Sequence, residues 1–111
     1  MGRRKIKSEE ELQNILVPMG NDVMGIAIKM LGGYHILVKC QDGKQRICRV
    51  RGKLKRRVWI RKGDIVLVSP WGFQSDVKGD IIWRYKRNQS EWLIRKGYLR
   101  REFYYPPAKG I

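Results

Sequence analysis

The stretch Tyr34-His35-Ile36-Leu37-Val38-Lys39-Cys40-Gln41-Asp42-Gly43-Lys44-Gln45-Arg46-Ile47-Cys48-Arg49-Val50-Arg51 sets two segments rich in Ile, Leu and Val about one Asp-Gly pair. Asp-Gly between alternating apolar residues is a strong hairpin signal. Register follows from what each choice buries. A two-residue turn would set Val38 opposite Ile47 and Ile36 opposite Arg49, mixing apolar and charged groups. A three-residue loop, Asp42 to Lys44, sets Val38 opposite Cys48 and Ile36 opposite Val50. The second choice collects Ile36, Val38, Cys40, Cys48 and Val50 on one face. The other face carries His35, Leu37, Lys39, Ile47, Arg49 and Arg51. The second register is preferred, because a slip of one residue would turn the apolar face to solvent.

Upstream, Met24, Ile26, Ile28 and Met30 alternate with Gly25, Ala27 and Lys29 until Gly32-Gly33 breaks the run, which makes a first strand. Downstream, Gly52 to Lys62 is a basic connector. Gly63-Asp64 turns into a fourth strand, Ile65 to Ser69, and Pro70-Trp71-Gly72-Phe73 has loop chemistry. A fifth strand runs from about Gly79 to Lys86, with Ile82 and Arg84 on the face opposite Ile81, Trp83 and Tyr85. Asn88 with Glu91 fits a capping box that opens a helix through Trp92, Leu93 and Lys96. Five short strands with a longer connector after the third suit a small closed barrel. The oligonucleotide-binding barrel is the economical choice, and an SH3-like barrel the alternative. The expected units are a basic mobile tail over 1–21, the barrel over 22–87, a helix over 88–99 and a short tail over 100–111. Within the first tail, Ser8 with Glu11 and the apolar Leu12, Ile15 and Leu16 allow a short helix that Pro18 and Gly20 end.

Length and composition bound the rest. The 111 residues are 42% hydrophobic, with four Trp, five Tyr and two Phe, enough for one domain with a core and too many for wholesale disorder. Apolar runs such as Ile65-Val66-Leu67-Val68 are far too short to span a bilayer, and no apolar stretch follows Arg3-Arg4-Lys5 as a secretory signal would require. Cys40 and Cys48 form no CxxC pair and His35 is the only histidine, so the ligands of a structural zinc site are wanting. The thiols read as small, reduced, buried side chains of a cytoplasmic protein.

Charge points to a partner. Twenty-five Lys and Arg against ten Asp and Glu leave +15, which calls for a polyanion; nucleic acid leads and an anionic membrane surface is second. The excess concentrates in Lys44, Arg46, Arg49, Arg51, Lys53, Lys55, Arg56, Arg57, Arg61 and Lys62, with no acid from Lys44 to Lys62. A solvated face normally alternates signs, and this one does not. Arg outnumbers Lys in the cluster, which suits forked contacts to phosphate and stacking on bases. The preferred register projects Lys39, Arg49 and Arg51 from the outer face of strands two and three, where such barrels bind oligonucleotides. Trp59, Trp71 and Phe73 are candidate stacking platforms, with plugging or covering the barrel as their duller roles. Trp83 and Trp92 read as core. Asp42, Asp64 and Asp80 sit beside glycines and read as turn formers. No P-loop, HExxH or triad is present, so no catalytic residue, metal ligand or cofactor is expected.

With these residues in view, the middle of the chain resembles a known family. Met30-Leu31-Gly32, Asp42-Gly43 and above all Ile47-Cys48-Arg49-Val50-Arg51-Gly52-Lys53-Leu54-Lys55-Arg56-Arg57-Val58-Trp59-Ile60 resemble the translation initiation factor 1A family, and Asp64-Ile65-Val66-Leu67-Val68 extends the likeness. The short C-terminus resembles the archaeal form. The resemblance implies a mainly β oligonucleotide-binding (OB-fold) barrel with a C-terminal helix, related to bacterial initiation factor 1. It implies a cytoplasmic, monomeric, non-catalytic protein that binds ribosomal RNA at the aminoacyl site of the small subunit and promotes initiator tRNA and mRNA placement. By motif, Arg49, Arg51, Lys53, Lys55, Arg56, Arg57 and Trp59 match the family's RNA-binding stretch, and Arg3, Arg4, Lys5 and Lys7 its basic tail. Other initiation factors, including the subunit-joining GTPase (initiation factor 5B), are implied partners. Eukaryotic members carry a long acidic C-terminal extension, whereas this chain closes on Arg100-Arg101-Glu102-Phe103-Tyr104-Tyr105 and a few more residues.

Overall fold

A computed structural model describes residues 15–50 and 60–104. Five strands, β1 (Val23–Gly32), β2 (His35–Cys40), β3 (Gln45–Val50), β4 (Ile65–Pro70) and β5 (Lys78–Arg84), close in the order β1-β2-β3-β5-β4. β3 and β5 run parallel and the other neighbours antiparallel. This is the OB barrel, and the SH3-like alternative falls. Among the described residues two helices follow, α1 (Arg87–Arg95) and α2 (Arg101–Tyr104).

β1 closes the barrel by serving two neighbours. Val23 to Ile26 pair with β4, and Gly25 to Gly32 with β2. Register shifts after Ala27 and Met30 let the strand bend between them. At Gly25 the strands come so close that an added Cβ would lie 2.4 Å from Val38 Cγ1 and 3.2 Å from the Lys39 carbonyl. Gly25→Ala should therefore lose about 1–3 kcal/mol, because the branched Val38 and a backbone oxygen cannot both give way. Denaturant unfolding reads this directly; an unchanged midpoint would mean that the two strands part more easily than this packing allows.

The predicted faces of the hairpin hold, and the predicted pairing does not. Ile36, Val38, Cys40, Cys48 and Val50 are all buried, while His35, Lys39, Ile47 and Arg49 are exposed. Val38 lies opposite Arg46 instead of Cys48, and Ile36 opposite Cys48 instead of Val50. The loop is Gln41 to Gly43, not Asp42 to Lys44: Cys40 N donates to the Lys44 carbonyl at 2.8 Å and Gly43 N to the Cys40 carbonyl at 3.0 Å. Gly43 takes φ +91, so glycine belongs at the last loop position. The shift is by two residues, which preserves the faces.

Among the described residues the apolar side chains gather in two cores. Ala27, Val66, Val68 and Ile81 join the hairpin's buried face inside the barrel. Met24, Ile65 and Leu67 point outward and pack with Tyr85, Leu93 and Leu99. β4 is thus buried on both faces, which explains its unbroken Ile-Val-Leu-Val run. Trp83 packs against both cores and Trp92 against the outer one. The helix starts earlier than Asn88: Lys86 is its N-cap residue, and its N–H donates to Gln89 Oε1 at 2.8 Å. It ends at Arg95 with Lys96 as C-cap, and Gly97 (φ +86) follows: Tyr98 N donates to the Leu93 carbonyl and Gly97 N to that of Ile94, a Schellman stop.

The N-terminal segment joins the outer core. Ile15 and Val17 pack there and Tyr85 Oη donates to the Leu16 carbonyl, with no helix at residues 15–19. The rest of the expected short helix, and Arg3, Arg4, Lys5 and Lys7, lie outside the described residues. No described helix is long and apolar enough to cross a membrane.

Candidate nucleic-acid interface

The strand registers line up the outer face of the barrel in rows. Lys29, Leu37, Ile47 and Lys78 are successive partners across β1, β2, β3 and β5. The next row runs His35, Arg49 and Asp80. Lys39 pairs with Gln45 beyond them. Lys39, Arg49 and Arg61 are exposed, as the sequence leads one to expect. Lys29 and Lys78 share the face; plain alternation along β1 would put Lys29 with the buried Ala27, and the register shift after Ala27 is what turns it outward, a signal that local spacing does not carry. Arg51, Lys53, Lys55, Arg56, Arg57 and Trp59 lie outside the described residues.

Arg49 is the best-defined cation of this face. Its Nε and Nη2 donate to the two oxygens of Asp80 at 3.2 and 3.3 Å, while its side chain stays 55% exposed. Trp71 Nε1 donates to Asp80 Oδ1 at 3.0 Å, and the guanidinium carbon sits 5.4 Å from the centroid of the Trp71 ring. One nearly buried carboxylate therefore orients both a cation and an indole. Asp80 is not the turn former its Gly79 neighbour suggested, since it lies within β5. Phe73 stands beside Trp71 in the β4–β5 loop, with ring centroids 6.3 Å apart and Phe73 72% exposed.

Arg46 departs from expectation. It is 3% exposed and faces inward, on the same alternation as Cys48 and Val50. Its Nη1 and Nη2 donate to Asp42 at 3.1 and 2.9 Å, and its Nε donates to the Ser75 carbonyl. It ties the β2–β3 turn to the β4–β5 loop and offers no surface to RNA. Alternation along β3, with Asp42 four residues earlier, was the signal for this role. Burial alone would lower the pKa of the guanidinium; its bonds to Asp42 and to the Cys40 thiol outweigh that and leave it raised.

The same pair holds the Asp42 carboxyl below the ordinary carboxylate range, chiefly through the Arg46 hydrogen bonds. A depressed folded pKa gives stability that is complete above the unfolded pKa, about 4, and lost as pH falls through the folded value. Wild-type protein should accordingly exceed Asp42→Asn in stability by a constant margin above about pH 5, a margin that shrinks below about pH 4. Urea unfolding from pH 3 to 7 measures it, and a margin independent of pH would contradict the assignment.

Burial pushes both thiols up, Cys48 to about 12, so neither is a nucleophile at neutral pH. Both cysteines are free. Among the described residues no three His, Cys, Asp or Glu side chains stand close enough to hold a metal ion. What the arrangement can do is bind: cations for phosphates, exposed rings for bases.

Known proteins resemble the chain over most of its length. The sequence profile described as Translation initiation factor 1A / IF-1 matches residues 11–107. A protein named translation initiation factor 1A from Pyrococcus abyssi is 48% identical over 100 residues, covering 90% of this chain and 88% of its own. A protein of the same name from Methanococcus aeolicus is 52% identical over 83 residues, 75% of this chain and 79% of its own. The solution structure of bacterial translation initiation factor 1 from the Wolbachia endosymbiont of Brugia malayi is 32% identical, covers 66% of this chain and 85% of its own, and superposes with a TM-score of 0.49.

Proposed function

This chain belongs to the translation initiation factor 1A / IF-1 family, and we propose that it is a non-catalytic initiation factor that binds ribosomal RNA at the aminoacyl site of the small ribosomal subunit. There it promotes placement of the initiator tRNA and mRNA. The observation that carries this reading is the exposed cationic face of β2 and β3, which enters the acid-free run from Lys44 to Lys62 in a chain of this family. Arg51, Lys53, Lys55, Arg56, Arg57 and Trp59 are proposed to extend that face, with the tail residues Arg3, Arg4, Lys5 and Lys7 as further RNA contacts.

The mechanism is occupancy without chemistry. Phosphate contacts supply affinity and fix orientation, while the shape of the folded RNA decides the site. A factor that binds one state of the subunit more tightly than another shifts their populations, which is how a protein without catalytic groups can favour initiation. The protein is read as a cytoplasmic monomer, with other initiation factors, among them the subunit-joining GTPase, as partners in the complex.

Co-sedimentation with small subunits, in excess unstructured competitor RNA, tests the reading. Saturable binding near one to one that survives the competitor is the expected result. Binding that disappears into the competitor would reduce the protein to a general single-stranded RNA binder.

A further inference from the structure

Phe73 poses a physical question. A phenyl ring 72% exposed at a loop tip gains nothing from burial, yet this loop is pinned. Trp71 N donates to the Lys78 carbonyl at 3.2 Å, and Val77 N and Lys78 N donate to the Gln74 carbonyl at 3.0 and 2.9 Å. The buried Arg46 holds the Ser75 carbonyl from beneath. Trp71 is fixed separately through its bond to Asp80. The two rings are tilted 54° to one another, with the Arg49 guanidinium beside the indole. An aromatic surface held in place before any ligand arrives loses little entropy when one binds.

We propose that Phe73 and Trp71 form a stacking subsite for one unpaired base, with Arg49 contacting the phosphate next to it. Two occupants could cover an exposed phenyl ring: an apolar protein segment or a nucleotide base. The surroundings favour the base, because Arg49 adjoins the rings, Lys39 and Lys78 lie on the same face, and the chain carries +15. A base offers a π-face to the rings while its own phosphate meets the guanidinium, so one nucleotide satisfies both. Asp80 serves as a positioning residue, since it orients Arg49 and Trp71 and need not touch the RNA.

The subsite rests on the RNA-binding reading above, but its test does not need the ribosome. Binding is measured to a short unstructured oligoribonucleotide and to an abasic ribose-phosphate chain of the same length. Wild-type protein should prefer the base-bearing chain by about ten-fold. Phe73→Ala should erase most of that preference and leave the salt slope unchanged, while Phe73→Tyr retains it. Arg49→Gln should lower the slope by about one unit on both chains. Because Phe73 is exposed, its variants should melt with the wild type, which separates lost stacking from lost folding. A base preference intact in Phe73→Ala, or retained by Phe73→Leu as fully as by Phe73→Tyr, would overturn the subsite. Loss of wild-type binding to small subunits, with the preference on oligonucleotide kept, would overturn the ribosomal reading and leave the subsite standing.

Discussion

Arg56 and Arg57 replaced together by alanine should flatten the log–log salt dependence of small-subunit binding by about one to two units and weaken binding about thirty-fold near 0.1 M salt. Each phosphate contact releases condensed counterions, and the release contributes about 0.7–0.9 of a slope unit per contact. The contribution falls as salt rises, so variant and wild type should converge at high salt. The two arginines lie in a segment without a single acid to neutralise them at home. An unchanged slope with unchanged affinity would place both residues off the interface. An unchanged slope with weakened affinity would point to lost folding, which a melting curve separates from lost contacts.

Leu93→Ala should destabilise the protein by about 2–5 kcal/mol, the usual range for a fully buried leucine. Leu93 is 0% exposed and belongs to the outer core with Met24, Ile65 and Leu67. The cavity would open between α1 and the outward face of β4, where α1 has no other apolar residue so deeply buried. For a domain of this size such a loss lowers the melting temperature by about 10–25 °C. The barrel interior is lined by other side chains, so RNA affinity measured well below the melting point should change little. A loss under about 1 kcal/mol would mean that α1 is attached through its loops and not through its packing.

How much of this was legible in the sequence depended on which physical signal each feature leaves. The inward and outward faces of β2 and β3 could be read because one residue of slip would expose a whole apolar face. The faces do not fix the pairing, since moving the loop by one residue at each end conserves them and changes only the partners. The position of Gly43 in the loop held the answer. β4 announced its double burial by four consecutive apolar residues, but what covers its outer face comes from Tyr85, Leu93 and Leu99, far later in the chain. A count of charges does not set Arg46 apart from the outward cations, because it ignores which side of a strand each occupies. The aromatic pair Trp71 and Phe73 was visible as composition; that Asp80 would orient Trp71 and Arg49 at once depends on β3 and β5 running side by side, a long-range pairing that local spacing does not disclose.

The proposed function requires this cationic face to meet folded ribosomal RNA at one place. Hydroxyl-radical footprinting of the small-subunit RNA, with and without bound protein, tests it most directly. Protections are expected only at the nucleotides of the aminoacyl site, saturating together and lost together when Arg56 and Arg57 are replaced by alanine. Protections scattered over exposed single strands, or a discrete footprint elsewhere on the subunit, would contradict it.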